Sequence, residues 1–506
     1  ALRDAAEFGM IGLLSSSAAG APPQGVPTTG TGGIGTSGEP AEGARRDAPS
    51  TSPELEPRTD RFVDYGVNAP IDPTRDPMST FAIDVDTGTF PLLRRTHQAG
   101  NRLSPEAVRP EEIINYFDYG YPGPEQEALV VHLHSAPSPF ERGHEILRVG
   151  VQARRVERSQ RKPAHLVYLV DVSGSMDAAD KLGLAKESLR LLTDNLRPGD
   201  TVALCTYAGN VREVLPPTPI AERQRILDAI DDLTSEGSTA MSDGITLAYD
   251  LAERTLVPGH INRVVVLSDG DANVGAVSHE EILGLIDRQR RRGITLSTIG
   301  FGTGNYNDAM MEQLADEGDG NYRYVDSPRE AQKVFVDEID GMLEVVAKDV
   351  KVQIAFDPRV VQSYRLIGYE NRDVADADFR DDTVDGGEVG AGHHATALYD
   401  VVLRPVRLAA AGHPWVTAHV RHKAPDADHA TEQAFPLPAD HSYATFADAD
   451  PSFRFATAAA GLAEVLRESP YATRWSLDDI ARIAAASSEG DPHRQELAVI
   501  ARESKS

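Results

Sequence analysis

The chain has 506 residues, 41% of them hydrophobic and 25% charged, a globular composition long enough for about two to four domains. Lys and Arg number 50 against 78 Asp and Glu, and the net charge of −28 argues against nucleic acid and anionic membrane surfaces, because no basic stripe supplies phosphate contacts. A single cysteine, Cys205, excludes an intramolecular disulfide framework and a cysteine-rich zinc site, and no run of about 18 apolar residues is present to span a membrane.

The first residue is Ala1 rather than Met, as in a processed or truncated product. Residues 15–57 are dominated by Gly, Ala, Pro, Ser and Thr and read as a disordered tether. From Met78 the texture changes. Ser79 to Asp86 reads as a strand, and a helix follows around Pro91 to Ala99. Pro105 to Phe117 reads as a second helix, with Pro110 near its start and Glu111 and Glu112 in the first turn. Asp84 and Asp86 alternate on the strand and could face a cation, although a solvated face or turn suits them better. Two further strands cover Leu129 to His134 and Ile146 to Val151.

The middle of the chain alternates strand and helix. His165 to Val170 is a continuous apolar run, typical of a parallel strand covered on both faces. An amphipathic helix spans Lys181 to Leu196, with Leu182, Ala185, Leu189, Leu192 and Leu196 on one side. Strands follow at Thr201 to Tyr207, Arg263 to Ser268, Ile294 to Phe301 and Tyr322 to Val325. Helices between them cover Ala221 to Leu233, Met241 to Arg254, Glu280 to Arg291 and Asn307 to Asp316, and a long one covers Ser327 to Val346. Such alternation specifies an α/β domain built on a doubly wound parallel sheet.

After about Lys348 come antiparallel strand patterns at 350–356, 360–369, 396–403 and 415–422, with an acidic surface loop at 373–392. Helical patterns return at 453–467, 477–485 and 491–502. The division is 1–77 as low-complexity disordered linker, 78–155 as an N-terminal module, 164–347 as the α/β domain, and 348–506 as a β-rich plus helical C-terminal domain. Because the ends of an inserted domain lie close together, the β segments on its two sides are expected to pair into one sandwich.

The chemistry concentrates in Asp171-Val172-Ser173-Gly174-Ser175, directly after the buried strand, where open α/β sheets bind ligands. Gly237-Ser238-Thr239 precedes one helix, and Ser268-Asp269-Gly270-Asp271 ends another apolar strand at the same sheet edge. Together they offer hydroxyls and carboxylates, hard oxygen ligands suited to Mg²⁺, Mn²⁺ or Ca²⁺. Taken alone, Asp171, Ser173 and Ser175 also suit ordinary turns and helix caps. Asp177, Asp243 and Asp271 nearby read as surface acids or caps, and Ser268 as a local hydrogen-bonding group. Cys205 reads as a core thiol, and the pairs His132/His134 and His393/His394 lack a third ligand at zinc spacing.

In this strand–helix frame, Asp171, Ser173, Ser175, Thr239 and Asp269 resemble the metal-ion-dependent adhesion site of a von Willebrand factor type A domain, over about residues 164–345. Ser79 to Thr87 and Ala107 to Phe117, then Gly387 to His393 and the helix from Phe453, resemble the flanking modules of a bacterial family of such proteins, often exported or lipid-anchored. No lipobox cysteine is present, since Cys205 lies inside a strand. The resemblance implies that Ser173, Ser175 and Thr239 ligate a divalent cation directly, with Asp171 and Asp269 acting directly or through water. It implies an open coordination position for an Asp or Glu of a partner protein, and a binding module in the bacterial envelope (periplasm or cell surface) rather than an enzyme. Two alternatives stand beside it: a scaffold with a stabilising metal, and a divalent-metal hydrolase with Asp271 as its base.

Overall fold

The computed structural model describes residues 62–237, 240–270, 279–303, 306–404, 414–437 and 441–504. From the N-terminal side come β1 (Met78–Ala82), α1 (Thr89–Gln98), α2 (Pro110–Asn115), β2 (Leu129–Pro137) and β3 (His144–Ala153). The α/β domain contributes β4 (Ala164–Asp171), α3 (Leu184–Asp194), β5 (Thr201–Tyr207), β6 (Val211–Pro219), α4 (Arg223–Asp231), α5 (Met241–Glu253), β7 (Ile261–Ser268), α6 (His279–Arg290), β8 (Thr295–Phe301), α7 (Asp308–Glu317), β9 (Tyr322–Val325), α8 (Pro328–Gln332) and α9 (Ile339–Leu343). The remainder adds β10 (Val345–Phe356), β11 (Val361–Ile367), β12 (Gly387–Gly390), β13 (His394–Leu403), β14 (Val416–Lys423), β15 (Ala430–Pro436), α10 (Pro451–Leu466), α11 (Leu477–Ala486) and α12 (Pro492–Glu503).

The α/β sheet has the order β6-β5-β4-β7-β8-β9. Every neighbouring pair is parallel except β5 with the edge strand β6. Successive residues of β4 serve opposite faces, as a pleated strand requires. Leu166, Tyr168 and Val170 join the core beneath α3 and α4, whereas Val167 and Leu169 join the core beneath α5 and α7. Because β5 lies on one side of β4 and β7 on the other, the carboxyl end of β4 is the switch point of the sheet, where its loops part and leave a crevice.

The flanking strands do pair with each other. One sheet runs β1-β10-β14-β15 with β12 also on β10, and the other runs β11-β13-β3-β2. Phe81, Val131, Val149, Val352, Ala397 and Val420 meet between the two sheets. On the outer face of the second sheet, Ile146 and Leu398 pack under Ile113, Phe453, Phe455 and Leu462 of α2 and α10. The α/β domain is therefore inserted within a sandwich that draws strands from both of its flanks.

Several sequence expectations are corrected. Residues 62–77, assigned to the linker, are ordered on β11: Asn68 donates to the carbonyls of Leu366 (3.3 Å) and Gly368 (2.9 Å), and Ile71 bridges Tyr364. The rest of that linker lies outside the described residues. The long helix at 327–346 is broken into α8, a π turn at Lys333–Asp337 and α9, and it ends at Leu343 because Glu344 already turns extended into β10. A Cβ on Gly341 would strike the His393 ring, so this end of α9 is shaped by its partner. The segment 105–117 is a 3-10 turn followed by the short α2. The segment 373–392 carries β12 and buries Phe379 and Val389 instead of lying wholly at the surface. Asp84 and Asp86 are buried, each 4% exposed, and are held by Arg372.

Candidate metal centre

Asp171 closes β4 and is fully buried. One carboxylate oxygen accepts the Ser173 amide (2.9 Å), the two-residue Asx turn that bends the chain sharply off the sheet. The other accepts the Ser268 hydroxyl from the end of β7 (3.0 Å), and that hydroxyl also accepts the Gly270 amide (3.0 Å). Asp171 therefore fixes its own loop and the loop that carries Asp269. The Ser173 and Ser175 hydroxyls stand 2.9 Å apart, side by side at the mouth of the turn.

The neighbouring loop is stitched to this one by main-chain bonds. Glu236 donates to the carbonyl of Val172 (2.6 Å), and Gly174 donates to the carbonyl of Gly237 (3.1 Å). Gly237 has φ +74°, and a Cβ there would lie 2.9 Å from the Gly209 nitrogen, so the close approach requires glycine. Gly270 has φ +73° and lies under the Asn307 amide in the same way, its hypothetical Cβ at 2.7 Å. Thr239, with Ser238 and Asp271, lies outside the described residues. Of the five residues expected at the site, the structure brings Asp171, Ser173, Ser175 and Asp269 to one sheet edge.

The electrostatics match a cation-seeking site. Burial pushes the Asp171 carboxyl up to about 6, and the charge of Asp269 pushes the same way, against the hydrogen bonds from Ser173 and Ser268. Burial and the charge of Asp171 likewise hold the phenol of Tyr207 well above its usual range. Asp269, 1% exposed, accepts from the ammonium of Lys181 at 2.8 Å. From sequence, Lys181 reads only as the first residue of an amphipathic helix. No sequence pattern signals its role, because the contact depends on how a π turn at Ala179–Gly183 faces β7.

The donor set fits a hard divalent cation: two carboxylates and two neutral hydroxyls, all oxygen. Asp171, Ser173, Ser175 and Asp269 would hold it. Asp177 accepts from Ser235 (2.7 Å) and Asp243 is exposed in the first turn of α5, as expected of surface acids. Elsewhere among the described residues, Asp84, Asp86 and Glu312 form a buried carboxylate cluster that Arg372 neutralises at 3.1–3.5 Å. A second cluster, Asp349, Asp385 and Glu388, has Lys423 2.7 Å from Asp349.

Comparison with known proteins bears on the family of the α/β domain. Residues 165–337 match the family model of the von Willebrand factor type A domain, residues 56–148 a model described as von Willebrand factor, and residues 341–506 the C-terminal model of the uncharacterized protein YfbK. The uncharacterized protein YfbK of Escherichia coli (strain K12) is 40% identical over 355 residues, which cover 69% of this chain and 62% of that protein. Inter-alpha-trypsin inhibitor heavy chain H3 of Homo sapiens is 29% identical over 195 residues, covering 37% of this chain and 21% of that one. Among solved structures, a von Willebrand factor type A protein from Catenulispora acidiphila aligns with 71% of this chain and 87% of its own, at 16% identity and a TM-score of 0.42. The chain thus spans less than two thirds of the curated relatives it matches. Type A domains often mediate metal-dependent protein interactions. No helix among the described residues is long and apolar enough to cross a membrane. The chain thus carries a von Willebrand factor type A domain over residues 165–337, set between a segment that matches the model described as von Willebrand factor and one that matches the C-terminal model of YfbK.

Proposed function

We propose that the chain is a protein-binding module that takes a carboxylate of a partner through a divalent cation, Mg²⁺ or its near equivalents Mn²⁺ and Ca²⁺, held by Asp171, Ser173, Ser175, Thr239 and Asp269. The observation that carries this reading is the pair of Ser173 and Ser175 hydroxyls, 2.9 Å apart beside the buried Asp171 at the switch point of the sheet. Neutral hydroxyl ligands leave a bound cation electrophilic toward an incoming Asp or Glu. Asp171 braces the two loops, and the serines and Asp269 present oxygens. With a net charge of −28, the protein would repel an acidic partner without that local positive charge. Binding is therefore gated by the cation, while other surface charge tunes solubility and association rate.

In this reading the chain binds and does not catalyse, and it works in a bacterial envelope assembly, the setting that its resemblance to a bacterial family implies. The test is affinity capture from a native extract in Mg²⁺ and in EDTA, alongside Mn²⁺ titration of the wild type and Asp171→Ala. Capture that needs Mg²⁺ and is lost in Asp171→Ala is the expected result. Capture that survives both EDTA and Asp171→Ala overturns the reading. Thermal stabilisation by Mg²⁺ with no ion-dependent partner would favour the scaffold instead, and metal-dependent ester or phosphate turnover would favour the hydrolase.

A further inference from the structure

We propose that Lys181 is an internal cation competing with the divalent ion for Asp269, and that helix α1 of the N-terminal module holds it in place. This rests on the metal-site reading above. The Lys181 ammonium stands 2.8 Å from Asp269, with the two side chains 11% and 1% exposed. An ammonium this buried needs a carboxylate to offset its lost hydration, and a carboxylate this buried needs a cation. Each therefore satisfies the other within the donor set that a metal would use.

The lysine stem lies in a built slot. Gly302 has φ +75°, and a Cβ there would lie 2.7 Å from Lys181 Cγ and 2.9 Å from Cδ. The absence of a side chain at Gly302 gives the stem its path, and the Tyr324 hydroxyl pins the Gly302 carbonyl from below. Lys181 sits at the centre of the π turn Ala179–Gly183, a widened turn of the kind concentrated at functional positions. The π turn runs directly into α3 at Leu184, so it sets the lysine's direction at the start of that helix.

A second module grips the same turn. Arg95 of α1 is ion-paired to Asp180, the residue before Lys181. The adjacent Arg94 anchors α1 to the α/β domain through Asp326 (2.5 Å) and Glu330 (2.7 Å). Arg95 thereby ties the N-terminal module to the turn that carries Lys181, and Arg94 ties it to the body of the α/β domain. A divalent ion held on Asp269 would repel an ammonium bound to the same carboxylate, so loading the ion requires Lys181 to withdraw, and the grip of Arg95 on Asp180 opposes that movement.

The experiment is Mn²⁺ titration of the full chain, followed by the electron paramagnetic resonance signal of free Mn²⁺, for wild type, Lys181→Met and Arg95→Gln. Circular dichroism checks the fold of each. The expected result is affinity tighter by about ten-fold or more in Lys181→Met and by about two- to five-fold in Arg95→Gln. Equal or weaker affinity in folded Lys181→Met overturns the competition while leaving the metal site standing. No Mn²⁺ binding by any folded form overturns the metal site and this proposal with it. If Lys181→Met fails to fold, Arg95→Gln decides, and an unchanged affinity there overturns the proposal.

Discussion

Arg94 of α1 holds the Asp326 carboxylate with two parallel hydrogen bonds, Nε at 2.7 Å and Nη2 at 2.5 Å. The same guanidinium reaches Glu330 at 2.7 Å, and the three side chains are 4%, 3% and 1% exposed. Removing one member of such a group strands buried charge. Arg94→Met should therefore cost about 3–5 kcal/mol in urea unfolding of the full chain. A loss below about 1 kcal/mol would show that the two carboxylates find other partners.

The sandwich predicts how fragments behave. β13 has β3 as one of its two neighbours, paired from His394 with Gln152 to Val402 with His144, and β1 pairs with Lys351 to Ala355 of β10. A fragment of residues 348–506 should fail to fold alone and should gain structure when a fragment of residues 78–155 is added. Cooperative thermal unfolding of the C-terminal fragment by itself would contradict the shared core. The α/β fragment 164–347 should remain soluble, since its sheet is complete within that span.

Glu111 sets a pH dependence. It is 1% exposed and accepts the Tyr369 amide at 3.0 Å. Burial pushes its carboxyl up to about 7, with the charges of Glu370 and Asp84 acting in the same direction. Between its ordinary value and 7 the folded state keeps a proton that the unfolded state releases, so its contribution is complete at lower pH and declines as pH rises through 7. Glu111→Gln retains the acceptor and removes the charge. It should stabilise the chain by about 1–3 kcal/mol at pH 8 and by little at pH 4.5, measured by calorimetry at both pH values. Destabilisation at pH 8 would sink the idea.

Asp450 has the opposite sign. It caps α10 by accepting the Phe453 amide at 2.7 Å, and it faces Arg148 at 3.2 Å. Burial alone would raise its carboxyl, yet Arg148 and the bonds from Ser452 and Phe453 outweigh burial and bring it down to about 2. The stability it contributes is present above its ordinary value near 4 and is lost as pH falls through about 2. Allowing for solvent screening of a side chain 33% exposed, Asp450→Ala should cost about 1–2 kcal/mol at pH 7. The gap from wild type should narrow as pH falls from about 4 through 2. Asp450→Asn, which keeps the cap, should lose less.

The parts legible in the sequence are those with short-range causes. The apolar runs of β4, β5 and β7 are buried on both faces, so nothing but strand suits them. Asp171 to Ser175 is a contiguous turn whose geometry follows from its own residue types. The edge strands β6 and β15 went unseen because they are mostly exposed. The first carries two adjacent prolines, Pro216 and Pro217, and the second lacks an apolar alternation. Lys181 at Asp269, and Arg372 among Asp84, Asp86 and Glu312, bring together residues far apart in the chain. Each charged residue, read alone, suits a solvated surface. Burial of those charges is decided by which modules meet, and that is not written in any local pattern.

The split sandwich also imposes a timetable on synthesis. When β1, β2 and β3 leave the ribosome, the strands that complete their sheets are still unmade, and β13 arrives only some 240 residues after β3. The α/β domain, complete by residue 343, can fold in the interval and bring the two halves of the sandwich within reach. Until then the nascent chain carries bare strand edges and an unpaired apolar face, the condition that recruits chaperones and favours misassembly. Early folding of the α/β domain thus shortens a long loop closure, and a variant that slows it should lower the yield of intact protein even if the finished fold is no less stable.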